Sequence, residues 1–321
     1  MRCLLSILAV SFFSVSIATA GANEMGPSLI ANGQVDQAIA ALHGQISTSP
    51  NDALAHNLLC RAYFSLGDWD SGIAECEKAV SISPNNSNFH LWLGRIYGEK
   101  ADQANFITAA GLAKKVRHQF EIAVQLSPNN VEARSDLAEF YLEAPAIVGG
   151  GKDKAEAQAN SLAALDPPRA HWVMARIAEK KGDYAGADHE YHTAIAASHG
   201  GASQWLDLGL FYKHRSQFDE MEKALLHVRS APVNRPDALV DAAEILIHTQ
   251  RNLQEAAQLL RKYLNSSDKV EQAPVFKVYY LLGIADEKLG QISNAATQYK
   301  LALSMAKEFR PAQEALQRMS Q

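Results

Sequence analysis

The triplet Ser-Pro-Asn occurs at residues 49–51, 83–85 and 127–129, and the first two prolines stand 34 residues apart. The next interval is 44 residues. A recurrence of this length marks tandem structural units, each too small to bury an apolar face alone, so neighbours must stack into one continuous core. The unit that opens at Ala53 shows what is repeated. Leu59, Cys60 and Tyr63 fall on one helical face, Gly67 breaks the helix, and Trp69, Gly72, Cys76 and Ala79 form a second face. Pro84 closes the unit. Two antiparallel helices joined by a glycine turn satisfy this spacing, with small residues where the helices cross and aromatic residues between successive pairs. Gly94 is expected at such a crossing, where a larger side chain overpacks.

The pattern resembles the tetratricopeptide repeat (TPR) family, with Leu93, Gly94 and Tyr97 in one first helix and Leu282, Gly283, Gly290, Ile292, Ala295, Tyr299 and Ala302 across the last unit. The resemblance implies an all-α fold: a right-handed α-solenoid of about eight helix-turn-helix units. They are expected near 26–52, 53–86, 87–130, 131–167, 168–201, 202–235, 237–270 and 276–309, with a capping helix over 310–321. Two units carry insertions, around 100–112 and at 144–151. The first reads as an extended helix or an extra turn. The second, Ala144-Pro145-Ala146-Ile147-Val148 followed by three glycines, reads as a loop whose apolar tip tucks back on the solenoid or meets a partner. Leu93 to Ala159 also resembles a subgroup of exported bacterial TPR proteins.

The N-terminus has a different character. Met1 and Arg2 precede an apolar run from Leu4 to Ile17, and Ala18-Thr19-Ala20 follows. This is the pattern of a secretory signal peptide over residues 1–20, cleaved before Gly21. The run is too short to span a membrane. The expected product is therefore exported, either periplasmic or secreted, with no membrane span. Only Cys60 and Cys76 remain after cleavage. Cys76 lies about one helical turn from the position directly opposite Cys60, so two buried thiols are expected, with a disulfide as the alternative. The formal net charge of −5 carries no basic excess of the kind phosphate contacts demand, which argues against a nucleic-acid partner.

Motifs for chemistry are sparse. Gly149-Gly150-Gly151-Lys152 lacks phosphate-loop spacing, since Ala146 stands at the first glycine position and Asp153 at the Ser/Thr position. His189 and His192 lie one turn apart without the spacing of a zinc helix. His56, His90 and His171 recur at one place in three units, which reads as packing beside the groove. Scattered carboxylates define no acid–base pair. No catalytic residue, cofactor or metal is expected. An enzyme or a metal- or small-ligand-binding protein with its site at the two insertions is the alternative.

In TPR solenoids the first helices of successive units line the concave face. Carried onto this chain, the resemblance implies a groove that includes Asn57, Arg61, Trp92, Arg95, Asp136, Glu139, Trp172 and Arg176, with Glu132, Glu143, Arg169, Asp207 and Asp241 beside them. Members that clamp a peptide carboxylate use lysines and asparagines on three units. Here Trp92, Glu132 and Asp136 fill most of those places. The order is basic with Trp92, then acidic, then basic with Trp172. Each tryptophan is either a binding anchor or half buried against the next unit. The expected function is a non-enzymatic scaffold that holds a protein or extended peptide, in envelope assembly or export, with self-association possible.

Overall fold

A computed structural model describes residues 16–320. These residues form seventeen α-helices and one short 3-10 turn over Ala146–Val148, without a strand among them. The helices run in antiparallel pairs: α1 Ser16–Ala31 with α2 Val35–Thr48, α3 Ala53–Leu66 with α4 Trp69–Ile82, and α5 Ser87–Asp102 with α6 Phe106–Leu126. The pairs α7 Val131–Glu143 with α8 Lys152–Leu162 and α9 Pro167–Lys181 with α10 Tyr184–Ala197 follow. Next come α11 Ala202–His214 with α12 Phe218–Ser230, α13 Ala238–Thr249 with α14 Leu253–Asn265, and α15 Val275–Lys288 with α16 Ile292–Met305. A final helix, α17 Arg310–Met319, packs on α16. The chain is an all-α solenoid. The apolar run expected as a signal peptide lies almost wholly outside the described residues.

The Ser-Pro-Asn triplets build the joints between pairs. Ser49, Ser83 and Ser127 each cap the C-terminus of a second helix. The next helix then starts at an N-cap whose side chain accepts a backbone N–H: Asp52 from Ala55 at 3.0 Å, Asn86 from Phe89 at 3.3 Å and Asn130 from Ala133 at 3.0 Å. The recurring histidines fasten the same joints. His56 Nε2 lies 3.1 Å from the Pro50 carbonyl and its Nδ1 2.5 Å from Glu75 on α4. His90 repeats this with Pro84 at 2.8 Å and Gln119 at 2.6 Å.

Glycine sets the spacing within a pair. A Cβ built on Gly94 would sit 2.4 Å from the Phe120 ring, and one on Gly283 would sit 2.5 Å from Tyr299. No side chain fits there without moving an aromatic ring of the facing helix. At Gly72 on α4 an added Cβ would lie 2.3 Å from the Ile96 side chain of α5 and 3.3 Å from the Cys60 carbonyl of α3. That approach corrects the expectation of two free thiols. Cys60 and Cys76 form a disulfide with their Cα atoms 5.3 Å apart. Cys76 is one turn beyond Gly72, on the stretch of α4 that lies close against α3, and the Cα separation is within reach of the bond. The bridge closes a short loop, so removing it with Cys60→Ala/Cys76→Ala should cost about 3 kcal/mol. Urea unfolding of the oxidised and double-alanine proteins measures this. Equal midpoints would show that the bond contributes nothing.

The insertions lengthen existing parts. The first extends α5 and α6, the latter to 21 residues, and leaves Phe106 and Ile107 on the surface. In the second, Val148 tucks into the solenoid while Ile147 points out, 85% exposed.

The two ends of the solenoid meet. Ile30, Val35, Ala38 and Ala62 from the first two units pack in one apolar cluster with Phe276, Ala302, Ala306, Phe309 and Ala312 from the last unit and the cap. Phe276 is fully buried there, edge-on to Phe309 with ring centres 5.0 Å apart. Gly33, in the left-handed region between α1 and α2, fits against this seam: a Cβ there would lie 2.7 Å from the Phe276 backbone nitrogen. Polar contacts flank the cluster. The Lys307 backbone N–H donates to Asp36 at 3.1 Å, and Arg61 holds Glu271 through Nε at 2.7 Å and Nη2 at 2.6 Å.

Candidate functional site

The first helices of successive pairs face inward, and their charged side chains meet across units. The structure separates the groove residues expected from sequence into three groups. Asn57 does not reach the groove: it is 1% exposed, with Nδ2 4.0 Å from Cys76 Sγ. The close α3–α4 contact that allows the disulfide also encloses this amide.

Arg61, Trp92, Arg95 and Asp136 come together but satisfy one another. The Arg61 and Arg95 guanidiniums lie over the Trp92 ring, 4.9 and 5.1 Å from its centre, and Phe64 packs edge-on against it. Trp92 is 8% exposed, so it is a buried element of the groove wall. Arg95 donates from Nε to Asp136 at 2.6 Å and from Nη2 to Glu132 at 3.0 Å. Burial disfavours the Arg95 charge, but Asp136 and Glu132 outweigh it, and its pKa is raised. Arg61 is occupied by Glu271, from the loop between α14 and α15. Burial raises the Glu271 carboxyl above its ordinary value, and Arg61 pulls against that. The basic strip expected to await an acidic partner is thus filled by the chain itself.

Glu139, Trp172 and Arg176 line the groove further along. Arg176 binds Glu143 and approaches Glu179 at 3.7 Å, and Lys180 reaches the other Glu143 oxygen at 2.7 Å. Trp172 is 8% exposed, with the Arg169 guanidinium 5.1 Å above its ring centre. Between these residues and α13 lies a cleft of about 870 Å³, walled by α7, α9, α11 and the start of α13, with Val270 and Gln272 of the Glu271 loop at its edge. Arg235 crosses one side, bound to Asp241 at 2.7 Å and Asp237 at 3.1 Å. Asp207 and Glu139 line the cleft without an ion pair or hydrogen bond among the described residues.

The motifs set aside for chemistry have structural partners. His192 Nδ1 lies 2.9 Å from the Asp188 carbonyl on its own helix, and His171 pairs with Glu190 at 2.7 Å. Lys154 donates to the Gly149 carbonyl at 2.9 Å, which holds the glycine loop closed. Among the described residues no helix is long and apolar enough to cross a membrane.

A stack of helical hairpins joined by capped proline turns, with a charged concave face, defines a helical-repeat solenoid protein. Residues 29–90 and 276–309 match models of the tetratricopeptide repeat. The chain therefore carries tetratricopeptide repeats in its first and last units. Among solved structures it resembles yeast Tom70, at 13% identity, with a TM-score of 0.53 over 100% of this chain and 67% of that one. It also resembles a tetratricopeptide repeat protein from Parabacteroides merdae, at 14% identity, with a TM-score of 0.50 over 84% of this chain and 99% of that one. A thermophilic TPR protein of Thermus thermophilus aligns at 20% identity, with a TM-score of 0.49 over 65% of this chain and 99% of that one. The first two likenesses are likenesses of fold. No curated protein matches the chain in sequence.

Proposed function

We propose that the protein is an exported, non-enzymatic interaction scaffold that holds an extended segment of a partner protein in its concave cleft, in the setting of envelope assembly or export. The observation that carries this reading is the cleft of about 870 Å³ walled by four successive first helices. Its walls combine internal ion pairs with polar groups that have no partner among the described residues. Arg61 and Arg95 are engaged within the chain, whereas Asp207, Glu139 and Arg169 keep hydrogen-bonding capacity free along the wall. A row of partly desolvated polar groups on rigid helices suits recognition of an extended chain, with charge setting specificity and association rate. The positively charged start, apolar run and small-residue site at the N-terminus support export. So does the Cys60–Cys76 disulfide, since such bonds persist in oxidising compartments.

A photo-crosslinking amino acid at Glu139 tests the site, with the same group at Ile147 as the comparison. Glu139 lines the cleft, and Ile147 is the outermost residue of the second insertion. The expected result is a covalent adduct with a native envelope protein from the Glu139 position alone. An adduct formed only at Ile147 would transfer the binding function to the insertions. Sequencing the mature N-terminus tests export, with Gly21 as the expected first residue.

A further inference from the structure

Asp207 is the residue of the cleft whose chemistry the fold leaves unanswered. It is 7% exposed, it lines the cleft, and its Oδ2 is shut away from solvent with no hydrogen-bond donor. A buried carboxylate without a donor is costly, and folded proteins rarely keep one. None of the three guanidiniums around it donates a hydrogen bond to it. Arg169 lies over Trp172, Arg176 is held by Glu143 and approaches Glu179, and Arg235 is held by Asp241 and Asp237. Burial holds the Asp207 carboxyl above its ordinary value, and these arginines only oppose that shift at a distance. The wider cleft has the same sign, with seven carboxylates and four guanidiniums along its walls.

We infer that the cleft recognises a basic segment, with a lysine or arginine side chain of the partner donating to the Asp207 carboxylate. The inference rests on the groove reading above and gives it a chemistry opposite to the acidic partner that Arg61 and Arg95 first suggest. A cationic side chain supplies the missing donor and neutralises the desolvated charge in one contact. Glu139, also without an internal partner, lies along the same wall and extends the acidic track. An acidic segment meets more carboxylates than guanidiniums along these walls, and Arg95, Arg176 and Arg235 already pair with carboxylates of the chain.

Selection of random 12-residue peptides displayed on phage, against the immobilised full chain and its Asp207→Asn variant, tests this. The expected result is enrichment of lysine and arginine by the wild type and its disappearance with Asp207→Asn. A selected basic peptide should bind the variant at least about tenfold more weakly. Melting gives a second readout. Asparagine keeps the shape and removes an uncompensated charge, so Asp207→Asn should melt no lower than wild type. Asp207→Ser serves as a second charge-free variant. Basic enrichment that survives in both variants would overturn the role of Asp207 and leave the groove intact. Enrichment of aspartate or glutamate would overturn the stated chemistry. A clearly lowered melting temperature would place the Asp207 charge in the fold and also overturn it. Failure to select any peptide would sink the groove reading itself.

Discussion

Replacing Phe276 with alanine should cost about 3–5 kcal/mol and open the solenoid where its ends meet. The ring is fully buried in the apolar cluster shared by α1, α2 and α3 with α15, α16 and α17. In an open repeat array each unit leans only on its neighbours, and the terminal units fray first. Here the terminal units are each other's neighbours. The loss should therefore concentrate at the seam and leave the central units closed. Amide hydrogen exchange shows where it falls, with faster exchange expected in α2 and α16 and little change in α9 and α11. Small-angle scattering should report a larger particle. Unchanged exchange in α2 would mean that the first and last units do not stabilise one another.

Trp92→Ala should cost a comparable amount, about 3–5 kcal/mol, and the loss should be one of stability. The indole is 8% exposed, between two guanidiniums and against Phe64. Its removal leaves a cavity and also loosens Arg61 and Arg95, whose stacking on the ring holds them toward Glu271 and Asp136. Chemical denaturation checks this directly. A variant as stable as wild type that no longer captures the partner would restore Trp92 as a direct anchor.

The two tryptophans show what sequence can and cannot say about such a groove. Their place on first helices follows from the local repeat, because a spacing of 34 residues and the Gly94–Phe120 crossing are properties of adjacent segments. The all-α solenoid is legible for the same reason. What occupies the groove is not local. Arg61 meets Glu271 across 210 positions, and no periodicity reports which unit lies opposite which once insertions have changed the path. The disulfide lies only slightly beyond what spacing reports. Cys76 is one turn from the point opposite Cys60, and the close approach of α3 and α4 beside Gly72 brings the two Cα atoms within 5.3 Å. Asp207 falls in the groove register of its repeat. Its interest comes from the absence of a donor, which depends on where three arginines from α9 and the α12–α13 connection spend their hydrogen bonds.

The meeting of the ends also bears on how the chain comes to be folded. Local contacts form quickly, and an open stack of hairpins can grow from any point. The seam is different, because the packing of Ile30 and Val35 is completed by residues 276–312. As the chain emerges from its N-terminus, the first hairpin must keep an apolar face waiting until nearly all of the remaining sequence has appeared. Assembly should therefore proceed in two stages, a rapid one that stacks the middle units and a slower one that joins first to last. The interval between them is when this protein is most exposed to chaperones, to proteases and to other copies of itself.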